Sequence, residues 1–441
     1  MLRTGPVDFI HQMQWSDMTP KARAMTRLLV LDLLGVAASA RVTPCSEIIC
    51  NHAARHFGVG AEEATLLFDG RKASPVGAAL AAGMTIDAVD GHDGWRPSKG
   101  HAGCHVLPAA LALAEASGQL DGEAFLAAIA LGYEFGCRVS VAQHATVPDY
   151  HTSGSWGAVG CAAVGSRMLG LDRDKTREAL GISEYHGPRS QMMRGVEFPT
   201  MLKDGSGWGA MAGVSATYLA ADGFTGAPAV TVEDEDVAAY WQDLGNHWLM
   251  EEQYIKPYPV CRWTHAPLAG AAFLMKEHGV SHEQIDRVVV VSFRNMLSLA
   301  TWRPENTEQA QYSVPFPVAT MIVKGQVGPA DVMDEALTDR DVLRLAETMA
   351  LVEDPALTAE FPARRKARVV FHLADGQRLE SPVVEPLGDP ERPLSEAEIR
   401  AKFQSWAAPV LGAERAARLE GAVDGLEQEG LAPLMAELGA I

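Results

Sequence analysis

Apolar residues recur at helical spacing through most of the first half of the chain. The pattern predicts helices over 21–40, 74–88, 106–118, 122–137, 155–169, 175–181 and 205–221. Pro20 is placed to open the first of these, and Pro75 suits the start of the second. Runs such as AALAAG, AALALAEA, GAVGCAAVG and GAMAGVSA give the helices small faces, which suit close approach in a packed bundle; an alanine-rich composition alone would look the same. No repeat of fixed period is visible, which argues against a helical solenoid. The texture changes near residue 255. Residues 286–293 (DRVVVVSF) read as a strand, and 368–373 and 378–384 flank Asp375-Gly376, a hairpin signal. Helices are expected between them, over 314–324 and 340–352. From 394 to 441 the pattern is helical again, opened by Ser395 and Glu398 at capping-box spacing. The expected fold is mainly α: a large all-helical domain over 1–255 and 393–441, discontinuous and completed by the C-terminal helices, with a smaller α+β domain over 256–392.

A length of 441 residues agrees with two domains. The net charge of -19 argues against nucleic acid and against an anionic membrane surface as partners. It does not exclude a small anionic substrate, because a cleft can be locally basic on an acidic protein. Cys45, Cys50, Cys104, Cys137, Cys161 and Cys261 form no CxxC pair and match no zinc spacing, which fits a reduced cytosol. The N-terminal MLRTGPVDFIHQMQW lacks the apolar run of a signal peptide. The best candidate for a membrane span, 28–40, is short and interrupted by Asp32, so a cytoplasmic protein is expected.

Four polar, glycine-bearing segments interrupt the apolar pattern. Residues 87–103 (DAVDGHDGWRPSKGHAG) gather Asp87, Asp90, Asp93, His92, His101, Arg96 and Lys99 in one loop, which reads as a site more than as a solvated connection capped by Asp and Gly. In 148–157 (PDYHTSGSWG), His151 precedes a helix start of the kind that favours anions, although Ser153 or Ser155 could act only as a cap. In 184–208, Lys203 is either a charge clamp or a lysine with a packed stem and a wet head. In 254–265 (YIKPYPVCRWTH), Lys256, Arg262 and His265 sit at the expected domain boundary, in a cleft wall or a rigid linker. This mix suits a substrate with several carboxylates. Removing a proton α to a carboxylate needs a placed base, and cations to hold the charge that develops. Neither step requires a metal or an organic cofactor.

The whole chain resembles the MmgE/PrpD family, which includes 2-methylcitrate dehydratase, cis-aconitate decarboxylase and iminodisuccinate epimerase. The resemblance is carried by AVDGHDGWRPSKGHAGCHVLPAALALAEASG, HTSGSWGAVGCAAVGSRMLGLD, TMLKDGSGWGAMAG, KPYPVCRWTHAPLAGA and AQYSVPFPVATMIVKGQVG, in that order. It implies a helical domain with a smaller α+β lid, a homodimer and cofactor-independent chemistry. Residue by residue, it implies functional positions at Asp90, His101, His151, Lys203, Lys256 and His265. Against the cis-aconitate decarboxylase pattern, Gly94 replaces a threonine, Cys261 a histidine and Phe316 a tyrosine. These losses argue against decarboxylation and leave Arg96, Lys99 and Arg262 as possible different anchors.

The resulting expectation is a lyase or isomerase acting next to a carboxylate on a small di- or tricarboxylate, with 2-methylcitrate dehydratase as the nearest pattern. Asp90, His101, His151 and Lys203 would be catalytic. Arg96, Lys99, Lys256, Arg262 and His265 would bind substrate, with no metal. Epimerase-like and decarboxylase-like reactions remain open. So do two readings of other classes: a metal-dependent phosphohydrolase built on the His92-Asp93 dipeptide with Asp87, Asp90 and His101, and a polycarboxylate binder without activity.

Overall fold

In the computed structural model, which describes residues 5–440, the apolar periodicity becomes two separate hydrophobic cores. Residues 1–4 and 441, included in the expected helical domain, lie outside the described residues. The architecture is mainly α with a small α+β part. The first core draws on side chains from Phe9 to Ile255 and again from Ile399 to Leu438. At its centre the helices Pro75–Asp87, Gly103–Ser117, Gly122–Thr146, Gly154–Met168 and Ser206–Ala221 stack closely. The small-residue runs are the contact faces. A Cβ on Gly83 would lie 2.6 Å from Gly207 Cα, and one on Gly213 would lie 2.4 Å from the Ala158 carbonyl oxygen. Pro20–Ala40 and Pro75–Asp87 begin at the expected prolines, capped by the Thr19 and Ser74 hydroxyls.

The C-terminal helix Glu396–Leu411 opens with the expected Ser395/Glu398 capping box and packs on Pro20–Ala40. Lys402 on this helix donates to Asp32 Oδ1 at 2.7 Å and to the Gly91 carbonyl at 2.9 Å, inside the polar loop. By length and composition alone, Gly122–Thr146 could cross a membrane. Here it is buried in the first core, with Glu134 and Arg138 paired at 3.3 Å.

The second core is built on a four-stranded sheet in the order Ala350–Glu353, Ile285–Ser292, Ala367–Leu373, Arg378–Glu380. The first pair is parallel and the other two are antiparallel. Helix His265–His278 packs on strand Ala367–Leu373 and Arg340–Glu347 on Ile285–Ser292, and Pro315–Lys324 packs on these two helices.

Several expectations change. The helix expected over 340–352 stops at Glu347, and Ala350–Glu353 joins the sheet edge, because its half-buried ALVE run pairs with the central strand. The expected strand 378–384 is regular only over Arg378–Glu380. Helices Pro44–His56 and His265–His278 went unread, and Gly122–Thr146 runs past the expected end at 137. The first region is not wholly helical, since Ala64–Thr65 and Lys72–Ala73 form a short antiparallel ladder. Met192 and Val196, from the middle of that region, pack in the second core.

Candidate active site

Asp90, Lys99, His101, Lys256 and Arg262 line one small cavity between the two cores, together with Tyr150, Asp204, Tyr254, Cys261, Tyr312 and Arg365. The polar loop 88–102 supplies the first three. Gly94 is what lets this loop close on the segment leading to Lys256. Its N–H and carbonyl pair with Tyr254, and a Cβ there would lie 2.5 Å from the Tyr254 hydroxyl and 2.8 Å from His101 Nδ1. The threonine of the decarboxylase pattern has no space at this position.

Asp90 and Lys99 have left-handed backbones at φ 48° and 55°, as does Lys203 at φ 50°. Such conformations are costly without glycine and persist where surrounding bonds enforce them. At Asp90 the enforcing group is Lys256 Nζ, fully buried, which donates to the Asp90 carbonyl at 2.9 Å and to Oδ1 at 2.8 Å. Burial opposes the lysine's charge most strongly, but the Asp90 carboxylate and its hydrogen bond, with Tyr254 and Cys261, together outweigh it and raise the pKa.

His101 is oriented by its backbone surroundings. Nδ1 lies 2.5 Å from the Asp93 carbonyl oxygen, which can only accept, so Nδ1 carries the hydrogen of the neutral ring. Nε2 keeps its lone pair and has no hydrogen-bond partner among the described residues. Burial, then the neighbouring His92 and Lys256, hold its pKa well below the usual 6.5, so the ring is neutral near pH 7. The His101 backbone N–H donates to Ser153 Oγ at 3.1 Å, and that hydroxyl donates in turn to Asp204 Oδ2. Asp204 was not singled out in the sequence. Burial and the nearby Asp87 push its carboxyl up to about 7, against the bonds it accepts from Ser153. It is therefore a carboxyl able to hold or release a proton near neutrality. Burial pushes the Cys261 thiol up to about 12, followed by the Asp90 charge, so it is no nucleophile. The Tyr150 and Tyr312 hydroxyls are held well above 10 by burial and remain donors.

Other expected site residues stand apart from the cavity. His151 is stacked on His144 at 4.1 Å, with Nδ1 3.0 Å from the Asp149 carbonyl. His265 starts a helix with Nε2 3.1 Å from the Val260 carbonyl and Nδ1 3.2 Å from Arg262, so it orients Arg262. Arg96 pairs with Glu391 at the half-exposed rim. Lys203 lines a neighbouring open groove, donates to Gln311 Oε1 and lies 5.3 Å from the Tyr312 ring centroid. That larger groove carries Lys203, Arg189 and Arg194 but no carboxylate and no histidine in its lining. Phe316 is buried in the second core, and Tyr312 presents the aromatic hydroxyl at the cavity instead. Because Arg96 does not line the cavity and its partners are Glu391 and, at 3.7 Å, Asp389, Arg96→Ala should change kcat/KM by less than about threefold. Steady-state kinetics beside the wild type would check this, and a larger loss would bring Arg96 into contact with substrate.

Asp90, His92 and His101 each offer an atom within 4.8 Å of the others, as a divalent ion would require. The donors fit a cation poorly. Lys256 Nζ already occupies Asp90 Oδ1, and His92 Nε2 lies 3.0 Å from Asp87 Oδ1. Asp93 of the dipeptide does not line the cavity, and its carboxyl faces Tyr133.

The MmgE/PrpD N-terminal domain model matches residues 7–243 and the MmgE/PrpD C-terminal domain model matches residues 258–428. Among curated proteins, the chain is 26% identical over 400 residues to the cis-aconitate decarboxylase-like protein oryM of Aspergillus oryzae, covering 81% of this chain and 80% of that one. It is 25% identical over 377 residues to cis-aconitate decarboxylase of Mus musculus, covering 80% and 76%. With the Homo sapiens cis-aconitate decarboxylase it shares 24% over 443 residues, 95% of this chain and 90% of that one.

Proposed function

The chain belongs to the MmgE/PrpD family, and from that premise we propose that it is a cofactor-independent dehydratase-like lyase acting on a small di- or tricarboxylate. The observation that carries this reading is His101, a neutral imidazole with a free Nε2 in a cavity walled by Lys99, Lys256, Arg262 and Arg365. Nε2 takes the proton α to a carboxylate, and the cations and tyrosine hydroxyls hold the charge that moves onto the carboxylate oxygens. In elimination the β C–O bond breaks, and Asp204 gives its proton to the departing hydroxyl, which leaves as water. The Ser153 bridge keeps base and acid in fixed relation. Epimerisation would use the same base without loss of water. Decarboxylation is the second reading, favoured by the names of the relatives. Gly94 and the buried Phe316 weigh against it. We further read the two cores as two domains meeting at the cavity, in a cytoplasmic homodimer.

Proton NMR of metal-stripped enzyme in D2O, with 2-methylcitrate, citrate, cis-aconitate, iminodisuccinate and malate, tests the reading. Deuterium should wash into one substrate as water is lost. Loss of carbon dioxide would select decarboxylation, and exchange without other change would select epimerisation. Ligand line-broadening without exchange would mean a binder, and no effect with any compound would end the proposal.

The pH profile tests the assignment of roles. kcat/KM should rise as His101 loses its proton, below the ordinary histidine value of 6.5, and fall as Asp204 loses its own near pH 7. In Asp204→Asn the falling limb should vanish and the rate drop by about 100-fold. A falling limb that survives unchanged would remove Asp204 from the acid role.

A further inference from the structure

We propose that Arg365 is the principal carboxylate anchor of the cavity, a binding residue that reaches it from the second core. The assignment rests on reading this cavity as the active site. Arg365 lies in a basic run, 364–368, just before the strand Ala367–Leu373. Its neighbours are satisfied at the surface: Arg364 by Glu385, Lys366 by Glu360 and Arg368 by Glu380. Arg365 alone of these turns inward and is 4% exposed. It makes no hydrogen bond or ion pair among the described residues, and its Nε and one terminal nitrogen are buried without partners.

The other buried cations of the cavity are neutralised. Lys256 has Asp90 at 2.8 Å, and Arg262 has Asp389 at 2.7 Å. Both arginines lie near the Tyr254 ring, with guanidinium carbons 4.4 Å (Arg262) and 5.7 Å (Arg365) from its centroid. The aromatic face compensates only part of a buried charge. A guanidinium held out of water without a counter-ion is costly unless its partner is a ligand. Its planar fork fits the two oxygens of a carboxylate. His101 belongs to the first core's loop and Arg365 to the second core, so a substrate held by Arg365 and deprotonated by His101 bridges both.

Removing an uncompensated charge should stabilise the empty protein while weakening its ligand. Arg365→Gln should raise the melting temperature without ligand. By titration calorimetry it should bind citrate and cis-aconitate at least tenfold more weakly than the wild type. Arg365→Lys, which keeps the charge but not the fork, should fall between them and serves if the glutamine variant fails to fold. Binding by Arg365→Gln or Arg365→Lys equal to the wild type would overturn the anchor and leave the proposed chemistry standing. A lower melting temperature with unchanged affinity would make Arg365 a packing residue. A wild type that binds neither acid, and exchanges deuterium into no compound of the panel, would overturn both proposals.

Discussion

His101→Ala should lower kcat/KM by about 10²–10⁴-fold, the usual range for a lost general base, with little change in fold. The ring is held by one hydrogen bond, from Nδ1 to the Asp93 carbonyl, and by its edge contact with His92 at 4.3 Å. The loop that carries it is fastened elsewhere, by Lys256 on Asp90 and by Lys402 on Gly91. Circular dichroism and the thermal midpoint should therefore match the wild type while exchange into the active substrate of the panel disappears. His151→Ala supplies the contrast. Its Nδ1 is engaged with the Asp149 carbonyl, Nε2 is buried, and the ring does not line the cavity. That variant should lose far less activity than His101→Ala. If the order were reversed, the base would have to be reassigned to His151 and the cavity would have to open toward it.

Lys256→Met should produce the largest loss of stability. The ammonium is fully buried on an equally buried carboxylate. Taking away one member leaves Asp90 charged in a dry site, with Oδ2 already lacking a partner. Breaking such a pair destabilises by about 3–5 kcal/mol, because the surviving charge is uncompensated. The double variant Asp90→Asn/Lys256→Met should recover much of the stability, since replacing both members removes the stranded charge. It should not recover activity, because the cavity loses a cation and no ammonium holds the backbone of residue 90 at φ 48°. Urea midpoints for the single and double variants measure the coupling. A single variant as stable as the wild type would mean that water reaches the pair.

The helices were legible because their apolar spacing is regular and their starts are marked by proline and capping hydroxyls. The helix–strand switch at 347–350 was not, since ALVE satisfies a helical stripe as well as a sheet edge until its partner Ile285–Ser292 is placed. In the site, Asp90, Lys99 and His101 were readable as one dense polar loop. Asp204 was hidden beside Lys203 in a KDG turn, and Arg365 in a basic run among Arg364, Lys366 and Arg368. Their distinction is burial beside a cavity, a property of the assembled cores and not of any local stretch. His151 and His265 show the converse. Both have the residue type that the chemistry asks for, but neither lines the cavity.

The bond from Lys402 to Asp32 spans 370 positions of the chain, and the same ammonium clasps the Gly91 carbonyl. On the ribosome, the helix Pro20–Ala40 and the loop after Pro75–Asp87 emerge long before that lysine exists. Until then Asp32 faces no counter-ion and the loop has one fastening fewer. Closure over so long a separation comes late in folding. The loop bearing His101 thus takes its final form only once the chain has been made through Lys402, and chains released before that point should be inert toward the substrate.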